Sequence, residues 1–245
     1  MDLFSEFEEP ILPFHLPSHA GCNVKWDPDL KGFSIKVAHG ELFYAPNFFA
    51  LKESDSFFAY LLQNDSSQNL SESLKLQDPN DIRFINIKWK QDFIRFYGKV
   101  HPLPRLTSWY GEPGKSYSYS GINSDPNSWL NNRLLEIKAE IEKVAKTSFN
   151  SVLLNLYRDG SDYLSWHADD EPELGKNPII ASVNFGAERD FCLKFNEGDL
   201  KFTIPLRHGS LLVMGGELQH FWQHSVPKRK KIDDLRINLT YRLIN

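Results

Sequence analysis

The chain has 245 residues, 41% of them hydrophobic, 24% charged and 13% aromatic, with a formal net charge of −4 at pH 7. That composition excludes a disordered or collagen-like chain, and the acidic balance leaves any nucleic-acid contact to a local patch. Only two cysteines, Cys22 and Cys192, occur, the opening "MDLFSEFEEP" lacks a basic and then apolar leader, and no run of about 18 apolar residues exists, so we expect a soluble intracellular protein without disulfides or a membrane span.

Residues 1–30 are interrupted by prolines, show no clear period and read as an irregular arm. "GFSIKV" and "ELFYA" read as short strands. Residues 47–63 carry Phe48, Leu51, Phe58, Leu61 and Leu62 and read as a helix or two short ones. "NDSSQNLSESLKLQDPND" is polar enough for a loop, and "FINIKW" and "DFIRFYG" read as strands. The clearest helix spans 127–146: Pro126 precedes it, Asn127 or Ser128 can cap it, and Leu130, Leu134, Ile137, Ile141 and Val144 form its apolar stripe. From there the pattern is β: "SFNSVLLNLY", "PIIASVNFG", "DFCLKF", "KFTIPL", "GSLLVMG" and "LRINLTYRL". The expected class is α+β, mainly β, a sandwich or jelly roll with flanking helices.

The last of these strands raises the chemical question. Side chains alternate between faces along a strand, so Leu235, Ile237, Leu239, Tyr241 and Leu243 share one side and Arg236, Asn238, Thr240 and Arg242 the other. Either the polar side meets water in a half-exposed strand, or it lines a cavity inside a barrel-like fold. "SVLLNLY" repeats the pattern, with Leu153, Asn155 and Tyr157 opposite an apolar Val152, Leu154 and Leu156. "WHADD" sets His167 two positions before Asp169, a spacing that can hold two adjacent positions of a metal. A third ligand comes from further down the chain: His224, with His220 and His208 as rivals. Two histidines and a carboxylate make the facial triad of non-heme Fe(II) oxygenases, and the lack of nearby cysteine argues against a thiolate zinc site. The open positions of such a metal need a co-substrate. 2-Oxoglutarate chelates through its keto group and one carboxylate, and its far carboxylate asks for an arginine such as Arg236 or Arg242.

At these residues the chain resembles the AlkB family of Fe(II)/2-oxoglutarate nucleic-acid dealkylases, with "PRLTSWYGE" and "WHADDEPELG" most like its AlkB homolog 3 branch. The other matching pieces are "YSYSGI", "NLYRDGSDYLSWHADDE", "PIIASVNFGAERDF", "HGSLLVMGGELQHFWQHSVPK" and "RINLTYR". The resemblance covers roughly 95–245 and implies a double-stranded β-helix core. It divides the chain into a partly irregular extension, 1–90, packed on the core, and a dioxygenase domain, 91–245, with a nucleotide-recognition segment near 91–125. It implies that His167, Asp169 and His224 bind Fe(II). Asn155 and Tyr157 would hydrogen-bond 2-oxoglutarate, Arg236 would pair with its distal carboxylate, and Asn238 and Arg242 would complete that pocket. Leu153, Asp170 and Glu171 would lie near the alkylated base. The implied reaction is oxidative demethylation of bases of the 1-methyladenine and 3-methylcytosine type, releasing succinate, CO₂ and formaldehyde, in alkylation-damage repair.

Such chemistry needs a base out of the stack. Trp109, Tyr110, Tyr117 and Tyr119 are candidate stacking clamps, or ordinary sheet aromatics. Lys88, Lys90, Arg95 and Lys99, and the run "PKRKK" at 227–231, are candidate phosphate contacts or plain solvated loops. Phe96-Tyr97-Gly98 resembles the apolar wedge of the family's duplex-acting branch, so Tyr97 is expected to help flip bases. The expected partner is single-stranded or duplex DNA, or RNA, with no membrane, and the expected state is a monomer. The expected compartment is cytoplasmic in a bacterium, nuclear and cytoplasmic in a eukaryote. Two other readings stand beside this one: a 2-oxoglutarate-dependent hydroxylase of a protein or small molecule, and a nucleic-acid-binding module with a silent site.

Overall fold

The computed structural model of the chain describes residues 9–18, 21–65, 69–96, 98–114, 117–119, 122–124, 126–129 and 132–245. Three antiparallel strands come first: β1 (Asn23–Asp27), β2 (Gly32–Val37) and β3 (Gly40–Ala45). In β2 the alternation is strict, with Phe33, Ile35 and Val37 buried and Ser34 and Lys36 exposed. β1 falls inside the stretch expected to be irregular. It pairs with β2 along its whole length, and Trp26 packs edge-on against Phe33, so a tertiary contact makes the strand.

Helix α1 (Leu51–Leu62) buries Ser54, Phe57 and Leu61 against the sheet. The polar stretch expected as a loop contains α2 (Leu70–Leu76), where the Asn69 side chain accepts from Ser71 N and Leu74 is buried. "FINIKW" is not a strand among the described residues. Phe84 makes one isolated bridge, with Asn64; Asn86 Nδ2 donates to Tyr60 O and Trp89 Nε1 to Leu61 O. The segment therefore caps the end of α1 with its side chains instead of joining a ladder.

A hairpin follows, β4 (Phe93–Phe96) with β5 (Lys99–Pro102). Then come β6 (Leu106–Gly111), a second hairpin of β7 (Tyr117–Tyr119) and β8 (Ile122–Ser124), and the two-residue β9 (Asn127–Ser128). Helix α3 (Asn132–Ala145) starts later than expected, because Asn127 and Ser128 pair in parallel with β6 and Asn127 Nδ2 donates to Trp109 O. Its stripe of Leu134, Ile137 and Ile141 is buried as anticipated. The remaining elements are β10 (Ser151–Tyr157), β11 (Leu164–His167), β12 (Ile180–Gly186), β13 (Arg189–Phe195), β14 (Lys201–Leu206), β15 (Ser210–Gly215), α4 (Leu218–Phe221), β16 (Trp222–Val226) and β17 (Arg236–Arg242).

Nine strands form one sheet in the order β1-β2-β3-β15-β12-β17-β10-β6-β9, and four form a second, β11-β16-β13-β14. One face of the large sheet, with Val152, Leu154, Val183, Phe185, Leu239 and Tyr241, packs against α1 and α3. The other, with Leu42, Tyr44, Ile180, Leu212 and Met214, meets Phe191, Leu193, Phe202, Ile204 and Trp222 of the small sheet. This is a mainly β, jelly-roll core with flanking helices. β17 lies near the middle of the large sheet and all 7 of its residues are buried, so its polar side does not meet water. It faces the space between the sheets.

Candidate active site

β11 and β16 lie side by side in the small sheet, and their register sets His167 directly opposite His224, with ring centroids 4.2 Å apart. Asp169 sits two residues past the end of β11. Its backbone N–H donates to the buried Gln219 Oε1 of α4 at 3.0 Å, and its Oδ1 accepts from Arg242 Nη2 at 2.9 Å. His167 Nε2 lies 3.9 Å from one Asp169 oxygen and His224 Nε2 4.0 Å from the other. One ligand atom from each of the three residues lies within 4.8 Å of the other two. The His167–Asp169 spacing was legible in the sequence; the nearness of His224 follows from strand pairing. The rivals are elsewhere: His208 Nδ1 accepts from Gly186 N, and the exposed His220 contacts the Asn177 side chain.

The electrostatics favour a bound cation. Burial, with the neighbouring His167, pushes the His224 imidazole down to about 3, and burial likewise lowers His167. Both rings are therefore neutral at pH 7. His167 Nδ1 meets the Ser165 carbonyl at 2.8 Å, where it must donate, which leaves the Nε2 lone pair for a metal. Burial alone would raise Asp169, but the positive charge of Arg242 and then the two histidines outweigh it and hold the carboxyl at about 2. Two imidazoles, one carboxylate and no thiolate suit a ferrous ion.

The triad itself lines a small cavity of about 30 Å³ between the sheets. Asn155, Tyr157, Arg236, Asn238 and Arg242, with Leu153, all line it, as the face pattern of β10 and β17 anticipates. Arg236 is buried. Its Nη2 donates to Asn184 Oδ1 at 2.6 Å, while its Nε and Nη1 have no hydrogen-bond partner among the described residues. Its guanidinium lies over the Tyr157 ring at 4.8 Å, and burial lowers its pKa to about 10. A buried cation with free N–H groups is costly unless an anion meets it, so the cavity is suited to a carboxylate. Sequence reasoning missed four buried groups that support the site. Arg105 Nε donates to Asn155 Oδ1 at 2.7 Å. The Arg189 guanidinium also lies over the Tyr157 ring, at 5.7 Å, and donates to three backbone carbonyls, of Asp159, Asp162 and Pro227. Asn184 and Gln219 are the others. None of the four had a local signature of its role.

Comparison with known proteins agrees with this chemistry. The family model of the 2OG-Fe(II) oxygenase superfamily matches residues 42–242. The DNA oxidative demethylase ALKBH2 of Arabidopsis thaliana is 37% identical over 238 residues, covering 86% of this chain and 69% of that protein. The chain belongs to the AlkB family of 2OG-Fe(II) oxygenases. The alpha-ketoglutarate-dependent dioxygenase alkB homolog 3 of Bos taurus is 40% identical over 208 residues, covering 81% of this AlkB-family chain. The chain spans 64% of the length of that bovine relative and 58% of the human one. The solved structure of OsALKBH1 shares the fold, with a TM-score of 0.52 at 14% identity over 84% of this chain and 98% of that one.

Outside the cavity, the AlkB-family chain has an open pocket of about 290 Å³ beside His167, lined by Ile94, Arg105, Tyr163, Trp166 and Glu171 among others. Glu171 lines this pocket, while Asp170 is exposed to solvent. Two expected stacking aromatics are corrected. Tyr110 is buried on the helix side of the large sheet, its hydroxyl accepting from Lys88 N, and Trp109 is buried with Leu153, Leu174 and Ile244. Neither presents an open ring, since both side chains are buried. Tyr97 lies outside the described residues, as do the side chains of Tyr117 and Tyr119. Tyr163 and Trp166, which the sequence reading did not single out, line the open pocket, and each has a lysine at 4.7 Å from its ring, Lys228 and Lys194 respectively. Among the described residues no helix is long and apolar enough to cross a membrane.

Proposed function

We propose that this chain is an Fe(II)/2-oxoglutarate-dependent dioxygenase that removes N-methyl groups from damaged bases in nucleic acid. One observation carries the reading: the His167–Asp169–His224 cluster lines the same small cavity as Arg236, a buried cation with no anionic partner among the described residues. The names of the similar proteins, a DNA oxidative demethylase and an alpha-ketoglutarate-dependent dioxygenase, support the substrate class.

In this reading His167, Asp169 and His224 hold the iron, and Arg236, Asn155, Tyr157, Asn238 and Arg242 hold 2-oxoglutarate. Bound iron supplies the oxidising chemistry, in which O₂ and 2-oxoglutarate are consumed and an N-methyl group is hydroxylated. The chain's residues prepare that chemistry. Ser165 O fixes the His167 tautomer, and Arg242 and Gln219 hold Asp169 from two sides. Phe191, Leu206, Met214 and Val226 give the cavity apolar walls that exclude water. Asn155 is steered by Arg105, which also lines the open pocket, so one side chain touches the groups of both compartments. The alkylated base enters through the open pocket beside His167, with Leu153 at the inner cavity and Glu171 at the outer one. Succinate and CO₂ leave, and the hydroxymethyl adduct releases formaldehyde to restore the base.

Residues 91–245 carry this machinery, and 1–90 extend its sheet through β2 and β3. The nucleic-acid partner is DNA or RNA, single-stranded or duplex. The β4–β5 hairpin brings Ile94 to the open pocket.

The test is formaldehyde release with Fe(II), ascorbate and 2-oxoglutarate on oligonucleotides carrying 1-methyladenine or 3-methylcytosine, as single strand, duplex and RNA. Release that requires 2-oxoglutarate, and that His167→Ala abolishes while oligonucleotide binding persists, is the expected outcome. Succinate formation without formaldehyde on any of these substrates would leave the oxygenase and remove the nucleic-acid substrate.

A further inference from the structure

Asn184 is an unusual residue for its place. It sits near the end of a central strand, β12, between apolar Val183 and Phe185, with only 1% of its surface exposed. Asparagine is depleted in strands, and a buried amide is costly unless it is bonded. Register explains how it is bonded: Asn184 lies opposite Asn238 of β17 on one side and Ser210 of β15 on the other. Its Oδ1 accepts from Arg236 Nη2 at 2.6 Å and from Asn238 Nδ2 at 3.1 Å. A guanidinium can only donate, so the amide oxygen must face Arg236 and the orientation of the amide is decided. Its Nδ2 makes two longer contacts, to Ser182 O and Ser210 Oγ, both at 3.4 Å.

An arginine side chain has several rotatable bonds, and its head can advance or retreat. Among the described residues two groups restrain that head: the Tyr157 ring beneath it, along which it can slide, and Asn184, which grips one corner. The cavity it serves is tight, about 30 Å³, so a difference of one methylene in the occupant matters.

We propose that Asn184 is a specificity-determining positioning residue for the co-substrate: by holding Nη2 it sets how far Arg236 reaches into the cavity, and so the length of the 2-oxo dicarboxylic acid that fits. This rests on the reading of the cavity as a 2-oxoglutarate site. Asn184 acts through Arg236 and touches no reacting atom. Shortening it releases the arginine, which can then withdraw to admit a longer acid.

The test uses binding, not turnover. Protein loaded with Mn(II) in place of Fe(II) is titrated by calorimetry with 2-oxoglutarate and with its one-carbon-longer homologue, 2-oxoadipate. Wild type should prefer 2-oxoglutarate by roughly 10- to 200-fold, the discrimination a pocket achieves over one methylene. Asn184→Ser should weaken 2-oxoglutarate binding and shrink that preference at least about fivefold, with Mn(II) affinity unchanged. If both acids weaken by the same factor, Asn184 is only a structural support and the proposal fails. Asn184→Asp, the same size but anionic, covers the case in which the serine variant does not fold. It keeps the grip but uses up the Arg236 charge, so both acids should weaken at least about tenfold at an unchanged ratio. Unaltered binding of both acids in that variant overturns the proposal. Failure of wild type to bind either acid refutes the reading of the cavity instead, because it does not involve Asn184 at all.

Discussion

Arg236 carries a charge deep in the protein, with Asn184 and the face of Tyr157 as its company and no carboxylate paired with it among the described residues. A fold maintains such a group at a cost, since an ionised side chain loses its hydration on burial. We therefore expect Arg236→Met to leave the ligand-free protein as stable as wild type or more stable, by up to ~1–4 kcal/mol, the range seen when apolar groups replace buried charge. The same variant should lose at least about 100-fold in 2-oxoglutarate affinity, because one member of a buried, charge-assisted pair is gone. Urea unfolding without ligand and calorimetry with it check the two halves. A variant that is strongly destabilised while still binding 2-oxoglutarate would mean that the arginine supports the fold and not the ligand.

At the scale of elements, β17 is tied to α3 by one hydroxyl. Tyr241 OH donates to Leu134 O at 2.9 Å, and its ring packs against Phe149 and Trp129. Burial, and then Glu142, push its pKa well above the ordinary value. A group whose pKa is raised on folding stabilises fully below its unfolded value and loses that contribution as pH climbs through the folded one. Tyr241 thus weakens the fold as pH rises beyond about 10. Tyr241→Phe should cost about 1 kcal/mol at neutral pH, the net worth of one hydrogen bond, and should flatten the loss above pH ~10. Urea unfolding at neutral and alkaline pH reads both effects. The loop between β16 and β17 is fixed by a different device. Gly160 N donates to Ile232 O at 2.6 Å and its carbonyl accepts from Arg229 N at 2.7 Å, so close that an added Cβ would meet Arg229 O at 1.7 Å. Gly160→Ala should destabilise by about 1–3 kcal/mol through that clash. It should also free the loop bearing Lys228, Lys230 and Lys231 for faster trypsin cleavage, while a rate equal to wild type would show that the loop does not depend on Gly160.

The whole molecule places its polar constellation between two sheets, each with its own apolar contacts. Phe191, Leu193 and Trp222 pack with Tyr44 and Leu212 around the site, and α1 and α3 cover the far side of the large sheet. The fold therefore does not need the metal, and chelation should leave a cooperative unfolding transition in place. Occupancy still adds stability, because a ligand that binds only the folded state shifts the equilibrium toward it. With Mn(II) present, 2-oxoglutarate at 100 times its Kd should add about 2.7 kcal/mol and raise the thermal midpoint, and His224→Ala should abolish the rise. Unfolding on chelation alone would instead make the metal a structural staple.

Some of this was determined by the sequence alone. The alternation in β10 and β17 separated Asn155, Tyr157, Arg236, Asn238 and Arg242 from their apolar neighbours, since strand geometry is local and has a period of two. The spacing of His167 and Asp169 was legible as a short-range pattern, and the stripe of α3 through the 3.6-residue period of a helix. Other features depended on contacts between distant residues. β1 exists because β2 is beside it, and the "FINIKW" segment was drawn from the strand state by the carbonyls at the end of α1. Trp109 and Tyr110 read as stacking clamps or as sheet aromatics in the sequence, and only the fold shows them covered. His224 was separated from His208 and His220 in space by its register against His167. Asn184, Arg105, Arg189 and Gln219 carry no local signature, because each matters only through the partner that tertiary structure brings to it. Periodicity decides which way a side chain points, and only packing between distant strands decides what it meets there.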